Sequence, residues 1–150
     1  MKAKLIAFEN VLNNIDLFVS TNSIADFELK ISKDKWSKKE IIGHLIDSAL
    51  NNLQRLTEIQ FIEKPYQIRA YNQNELVLAN HYQNKDNQEL VNLWLKLNNH
   101  MLYLMKNQTS KTLEFELILP NGEKKNLAFL IEDYLDHFYH HLKQIDSKWI

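Results

Sequence analysis

The chain has no cysteine among its 150 residues, which removes disulfides, thiolate metal ligands, iron–sulfur clusters and cysteine nucleophiles at once. Any metal must be held by nitrogen and oxygen ligands. Glycine and proline are scarce, two of each, so few positions suit tight turns and long helices are expected instead of many short strands. No apolar run approaches the roughly 18 residues that cross a bilayer. The amino-terminal stretch is amphipathic and interrupted by Glu9, Asn13, Asn14 and Asp16, so it lacks the continuous apolar segment of a signal peptide. These absences predict a cytoplasmic protein with no membrane partner. An excess of charge is lacking too: 18 Lys+Arg against 19 Asp+Glu leave a formal net charge of -1, with no basic field to grip phosphate backbones. Nucleic acid is therefore not an expected partner.

The composition that remains is that of a globular protein, 45% hydrophobic and 25% charged, and the length suits one domain over residues 1–150. Leu5, Phe8, Leu12, Ile15 and Val19 recur at spacings of three and four, predicting a helix over residues 2 to about 19. The segment 20–35 breaks that pattern and reads as a connection, with a short helical turn near 24–27. Ser37-Lys-Lys-Glu40 has the form of a capping box, with Trp36 as the preceding apolar contact, and opens a helix from about 38 to 61. Pro65 ends that region. A shorter helix is expected around 73–80, and Asp86-Asn-Gln-Glu89 reads as a second capping box opening a helix to about Lys106. Leu113 to Leu117 alternates apolar and acidic residues, and Pro120-Asn121-Gly122 is a turn signal, so a short hairpin or loop precedes a last helix over about 128–148. Four long amphipathic helices predict an all-α four-helix bundle. Trp94, Trp149, Tyr134, Phe138 and Tyr139 read as core, and Lys33, Lys35, Lys38 and Lys39 as a solvated face.

The histidines carry the chemical signal. His137 and His141 stand i,i+4 on the last helix, about 40° apart around its axis, so both imidazoles can reach a single ion. They lie on the flank of the stripe Ile131, Tyr134, Phe138, Leu142 and Ile145, together with Asp133 and Gln144, while His140 points elsewhere. The same spacing also suits a solvated strip or a pair of hydrogen-bonded histidines. His44 shares a strip with Ser48, Asn51 and Arg55, about 140° from the centre of the apolar stripe of its own helix. Periodicity therefore predicts that His44 is exposed. His81 and His100 have no partner at ligand spacing.

Trp36-Ser37-x-x-Glu40-x-x-x-His44-Leu45-x-Asp47-Ser48, followed by Arg55, resembles the second-helix signature of the DinB-like superfamily of YfiT-like metal proteins. Asp133-Tyr-Leu-x-His137-x-x-x-His141-x-x-Gln144-Ile145 is similar to its last-helix signature. The resemblance implies a DinB/YfiT-like four-helix bundle in which His44, His137 and His141 hold a divalent metal, commonly zinc or nickel. Asp136 departs from relatives that often carry tryptophan there, which leaves the ligands intact and alters the packing beside them.

Three neutral imidazoles leave an open position on zinc, where bound water can be acidified or an incoming thiolate held. Asp47 and Asp133 are the candidates for orienting histidines or accepting protons, against an ordinary solvated role for each. Arg55 is the candidate anchor for an anionic substrate, against a surface pairing with a nearby glutamate. By resemblance the chain is expected to be a metal-dependent enzyme, either a thiol S-transferase using a low-molecular-weight thiol or a small-molecule hydrolase, and a homodimer. The competing expectation is a non-catalytic, dimeric interaction or stress-response bundle.

Overall fold

The computed structural model describes residues 1–149. Its helices are α1 (Lys2–Thr21), α2 (Lys38–Glu58), α3 (Gln73–Ala79), α4 (Asn87–Lys106), α5 (Ser110–Leu113) and α6 (Leu127–Ile145). Strands β1 (Tyr66–Gln67), β2 (Glu116–Ile118) and β3 (Lys124–Asn126) form a small sheet. Among the described residues, no helix is long and apolar enough to cross a membrane.

The four long helices are the ones that periodicity and capping predict. All five stripe residues of α1 are buried. At the start of α2, Ser37 Oγ accepts from the Glu40 amide at 3.1 Å while the Glu40 carboxylate accepts from the Ser37 amide at 2.8 Å, closing the capping box. Such a cap contributes about 1 kcal/mol. At α4 only the Asp86 half of the expected box forms, accepting from the Glu89 amide at 2.9 Å. α4 packs between α1 and α2, α6 packs on α2, and Phe8 of α1 meets Phe138 of α6 edge-on with ring centroids 4.9 Å apart. Trp94 of α4 stacks on Phe138 across the centre at 5.7 Å, and Trp94 and Trp149 are both buried as core residues.

The short elements were less legible. Residues 25–28 form turns and no helix, and α5 and β1 were not anticipated. β1 runs parallel to β2, Tyr66 opposite Leu117, and so ties the segment after α2 to the hairpin before α6. β2 pairs antiparallel with β3, and Gly122 turns the hairpin at φ +87, a left-handed conformation that glycine adopts without strain. Asn126 ends β3 and caps α6 by accepting from the Phe129 amide at 3.1 Å.

The expected lysine face is corrected at Lys39, which is 1% exposed. Its ammonium donates to Glu28 Oε1 at 2.9 Å and to the Gln83 carbonyl at 3.0 Å. The 22–36 connection and the turn after α3 fold over this side of α2, so a position that would be solvated on an isolated helix becomes interior.

Candidate metal centre

His44 lies in the second turn of α2, just after its cap, and His137 and His141 lie one turn apart on α6. Packing of α2 on α6 brings the three rings together. The centroids of His44 and His137 are 4.9 Å apart, those of His44 and His141 4.7 Å, and those of His137 and His141 4.6 Å. One ring nitrogen from each falls in a group whose members all lie within 4.8 Å of one another. The Nε2 atoms of His44 and His137 are 2.9 Å apart. Two nitrogens sharing a zinc ion at about 2.0–2.1 Å each are roughly 2.9–3.4 Å apart for bond angles between octahedral and tetrahedral. The donor set and its convergence fit a divalent ion.

The expectation that His44 is exposed is overturned: it is 0% exposed. The angle from its own apolar stripe is correct, but α2 has neighbours on several sides. α4 covers the apolar stripe, α6 covers the His44 side, and α3 with the 3-10 turn Tyr82–Asn84 covers another. Buried residues therefore run without a break from Lys39 to Ala49.

Burial pushes the His44 imidazole down to about 3, with the His137 and His141 rings adding to the effect. Burial pushes His137 down to about 4, and His141 and His140 contribute. His141 is lowered by burial as well, opposed by its bond to Gln144. At neutral pH the cluster therefore presents uncharged rings with lone pairs available to a cation. Gln144 Oε1 lies 3.1 Å from His141 Nδ1, which favours the proton on Nδ1 and leaves Nε2 as the ligand atom. Ser48 Oγ lies 3.5 Å from His137 Nδ1. The Nδ1 of His44 is buried with no protein partner. Trp36 packs against that ring instead, centroids 4.9 Å apart.

Neither candidate carboxylate is hydrogen-bonded to an imidazole. Asp47 is buried, and its Oδ1 accepts from the Tyr82 hydroxyl at 2.6 Å and from Asn80 Nδ2 at 2.9 Å. Burial pushes its carboxyl up, with the Tyr82 bond opposing. Asp133, one turn before His137, is raised by partial desolvation and then by Asp136, while Arg55 pulls the other way. Arg55 does not pair with a glutamate. Its guanidinium donates to Asn52 Oδ1 at 3.2 Å and to the Arg69 carbonyl at 2.8 Å, and it lies 5.6 Å from the Tyr71 ring centroid. Both arginines and Tyr71 line a cavity of about 230 Å³.

Sequence reasoning did not find the Asn80 and Tyr82 partners of Asp47. Their one trace is Gly43, a helix-interior glycine against which the Tyr82 ring lies. Trp36 was read as an apolar contact at the helix start, yet it also walls the histidine cluster. His140 stays outside the three-ring group, although Gln144 Nε2 lies 3.3 Å from its Nε2. His81 and His100 are not in the three-histidine group, and His100 stacks on exposed Tyr103.

Comparison with known structures places the fold. YfiT from Bacillus subtilis, described as a probable metal-dependent hydrolase with an unusual four-helix bundle topology, superposes with a TM-score of 0.81 at 18% identity, covering 97% of this chain and 83% of that one. A mycothiol-dependent maleylpyruvate isomerase superposes with a TM-score of 0.73 at 12% identity. The match covers 97% of this chain but only 60% of the isomerase. A histidine-to-alanine mutant of that isomerase gives the same TM-score at 11% identity. At such identities the likeness establishes the fold. No curated protein matches the sequence. The family model for the DinB superfamily matches residues 8–145.

Proposed function

The chain belongs to the DinB superfamily, and from that membership we propose that it is a metal-dependent enzyme acting on a small molecule, either by thiol S-transfer to an electrophile or by hydrolysis. The observation that carries this reading is the convergence of three imidazoles, one buried on α2 and two half-buried on α6, with Trp36 packed against His44. His44, His137 and His141 would hold a divalent ion, zinc or nickel, and three nitrogen donors leave coordination positions free, as catalytic sites do. The ion would supply Lewis acidity to a thiol, carbonyl or water entering there.

The remaining work falls to this chain's own groups. Gln144 fixes the tautomer and tilt of His141, and Ser48 steadies His137. We assign proton acceptance to Asp133, whose raised carboxyl lies on the same helix one turn from His137. Arg55, partly desolvated and facing neutral acceptors, would bind an anionic end of the substrate. Asp47 is a positioning residue, holding Tyr82 and Asn80 against the side of α2 next to the one that carries His44. Hydrolysis is supported by the likeness to YfiT, a probable metal-dependent hydrolase, and thiol chemistry by the thiol dependence of the isomerase.

The test is the metal content of protein purified without a histidine tag. One divalent ion per chain is expected, lost in His137→Ala and not regained on dialysis against zinc or nickel. Failure of the parent protein to retain or rebind either metal overturns the reading. With metal bound, a screen of small thiols plus electrophiles and of activated esters should give a turnover that His137→Ala abolishes.

A further inference from the structure

A cavity of about 650 Å³ opens beside the histidine cluster, within the size range of small-molecule sites. Its walls come from the 26–38 segment, the first turns of α2, Asn74 of α3 and Gln144 of α6. Two of its lining residues also touch the imidazoles. Trp36 is half-buried with its ring against His44, and Gln144 is hydrogen-bonded to His141. A molecule seated in the cavity is thus one side chain away from two of the three rings.

Part of the rim is apolar although it faces solvent. Ile31 is 84% exposed and Leu29 60% exposed, and Ile41 lies at the base. The charged lining residues cancel, Asp26 and Asp34 against Lys35 and Lys38. The segment that carries the rim is pinned on either side of Leu29, by Lys39 to Glu28 at 2.9 Å and by Lys30 to Glu40 at 2.9 Å. A partly apolar rim held in place over solvent, with no net charge and an indole in its wall, suits a neutral, flat, apolar group.

We propose that this cavity receives a planar apolar portion of the substrate, stacked on Trp36, and so presents the reacting end to the imidazoles. Only the last clause rests on the metal-dependent reading; the cavity's preference does not. Trp36 here is a specificity residue, and Ile31 and Leu29 flank the bound group.

The probe pair is 2-naphthol and decahydro-2-naphthol, which share a carbon skeleton and differ in planarity. Both are titrated by heteronuclear NMR into the zinc-loaded protein. Trp94 and Trp149 are buried in the core, so the Trp36 indole N–H is the one expected to move, together with the amides of Ile31 and Gln144. The planar alcohol should bind about two- to tenfold more tightly, the range that aromatic stacking supplies. Trp36→Leu should erase that preference. Ile31→Asp, at a position too exposed to disturb folding, should weaken 2-naphthol. Equal affinity for the two alcohols, shifts confined to other regions, or an unchanged preference in Trp36→Leu overturns the proposal. Zinc uptake by the parent protein, measured beside the same titration, separates the two readings. Naphthol binding by a parent protein that takes up no zinc sinks the metal-dependent function and leaves the cavity assignment standing; zinc binding with no response at Trp36 does the reverse.

Discussion

Gly43→Ala is the substitution for which helix propensity and tertiary packing predict opposite signs. Gly43 lies inside α2, where alanine is the better helix former by about 1 kcal/mol. A Cβ at this position would lie 2.8 Å from Cε2 of Tyr82 and closer still to its Cγ and Cδ2, where ordinary contact begins at 3.4 Å. The Tyr82 ring is 5% exposed and its hydroxyl donates to Asp47 at 2.6 Å, so it cannot retreat without breaking that bond. Overpacking of this kind costs about 1–3 kcal/mol, and loss of a hydrogen bond to a charged group about 1.5–3 kcal/mol. After the propensity gain is subtracted, a net destabilisation of about 1.5–5 kcal/mol is expected. For a chain of this length that corresponds to a fall in Tm of roughly 3–20 °C. Urea unfolding followed by far-UV circular dichroism measures it, and Tyr82→Phe isolates the hydroxyl. Because His44 is the next residue, zinc affinity should fall as well. A Gly43→Ala protein as stable as its parent, or more so, would refute the close packing of the 82–84 turn on α2.

Two further outcomes follow from the geometry. The folded His44 and His137 titrate near 3 and 4, below the ordinary 6.5, so between those limits the unfolded chain binds more protons and stability rises with pH. That contribution is complete above about 6.5 and is lost on acidification at up to about 1.4 kcal/mol per pH unit for His44; urea midpoints at pH 7.5 and 5.5 should differ less in His44→Gln than in the parent, and equal differences would refute the assignment. Lys39→Met leaves the Gln83 carbonyl without its donor, so a loss of about 1–3 kcal/mol is expected, against roughly 0.5 kcal/mol or less for exposed Lys35→Met; indistinguishable midpoints would show that the buried ammonium contributes nothing.

Much of the architecture was written in local pattern. The α1 stripe, the Ser37–Glu40 box and the His137/His141 spacing are properties of neighbours along the chain, so they survive reading without coordinates. The residue types of the candidate centre were legible for the same reason: a helix places residues four apart on one side whatever it packs against. His44 illustrates the limit. Its angular position was read correctly, yet its burial was read wrongly, because periodicity describes a helix with one covered side.

What the sequence determined by itself was the four long helices, their order, and the exclusion of thiolate from any metal site. What the tertiary structure decided was which sides of those helices are covered. Cover over α2 comes from α3, the 82–84 turn and the 22–36 connection, whose short and irregular segments have no periodicity to reveal them. That cover turns Lys39 inward, sets Tyr82 on Gly43, and lays Trp36 against His44. The meeting of His44 with His137 joins residues 93 positions apart in the chain. Such a contact depends on helix docking, a sum of many weak packing terms that no single stretch of sequence contains.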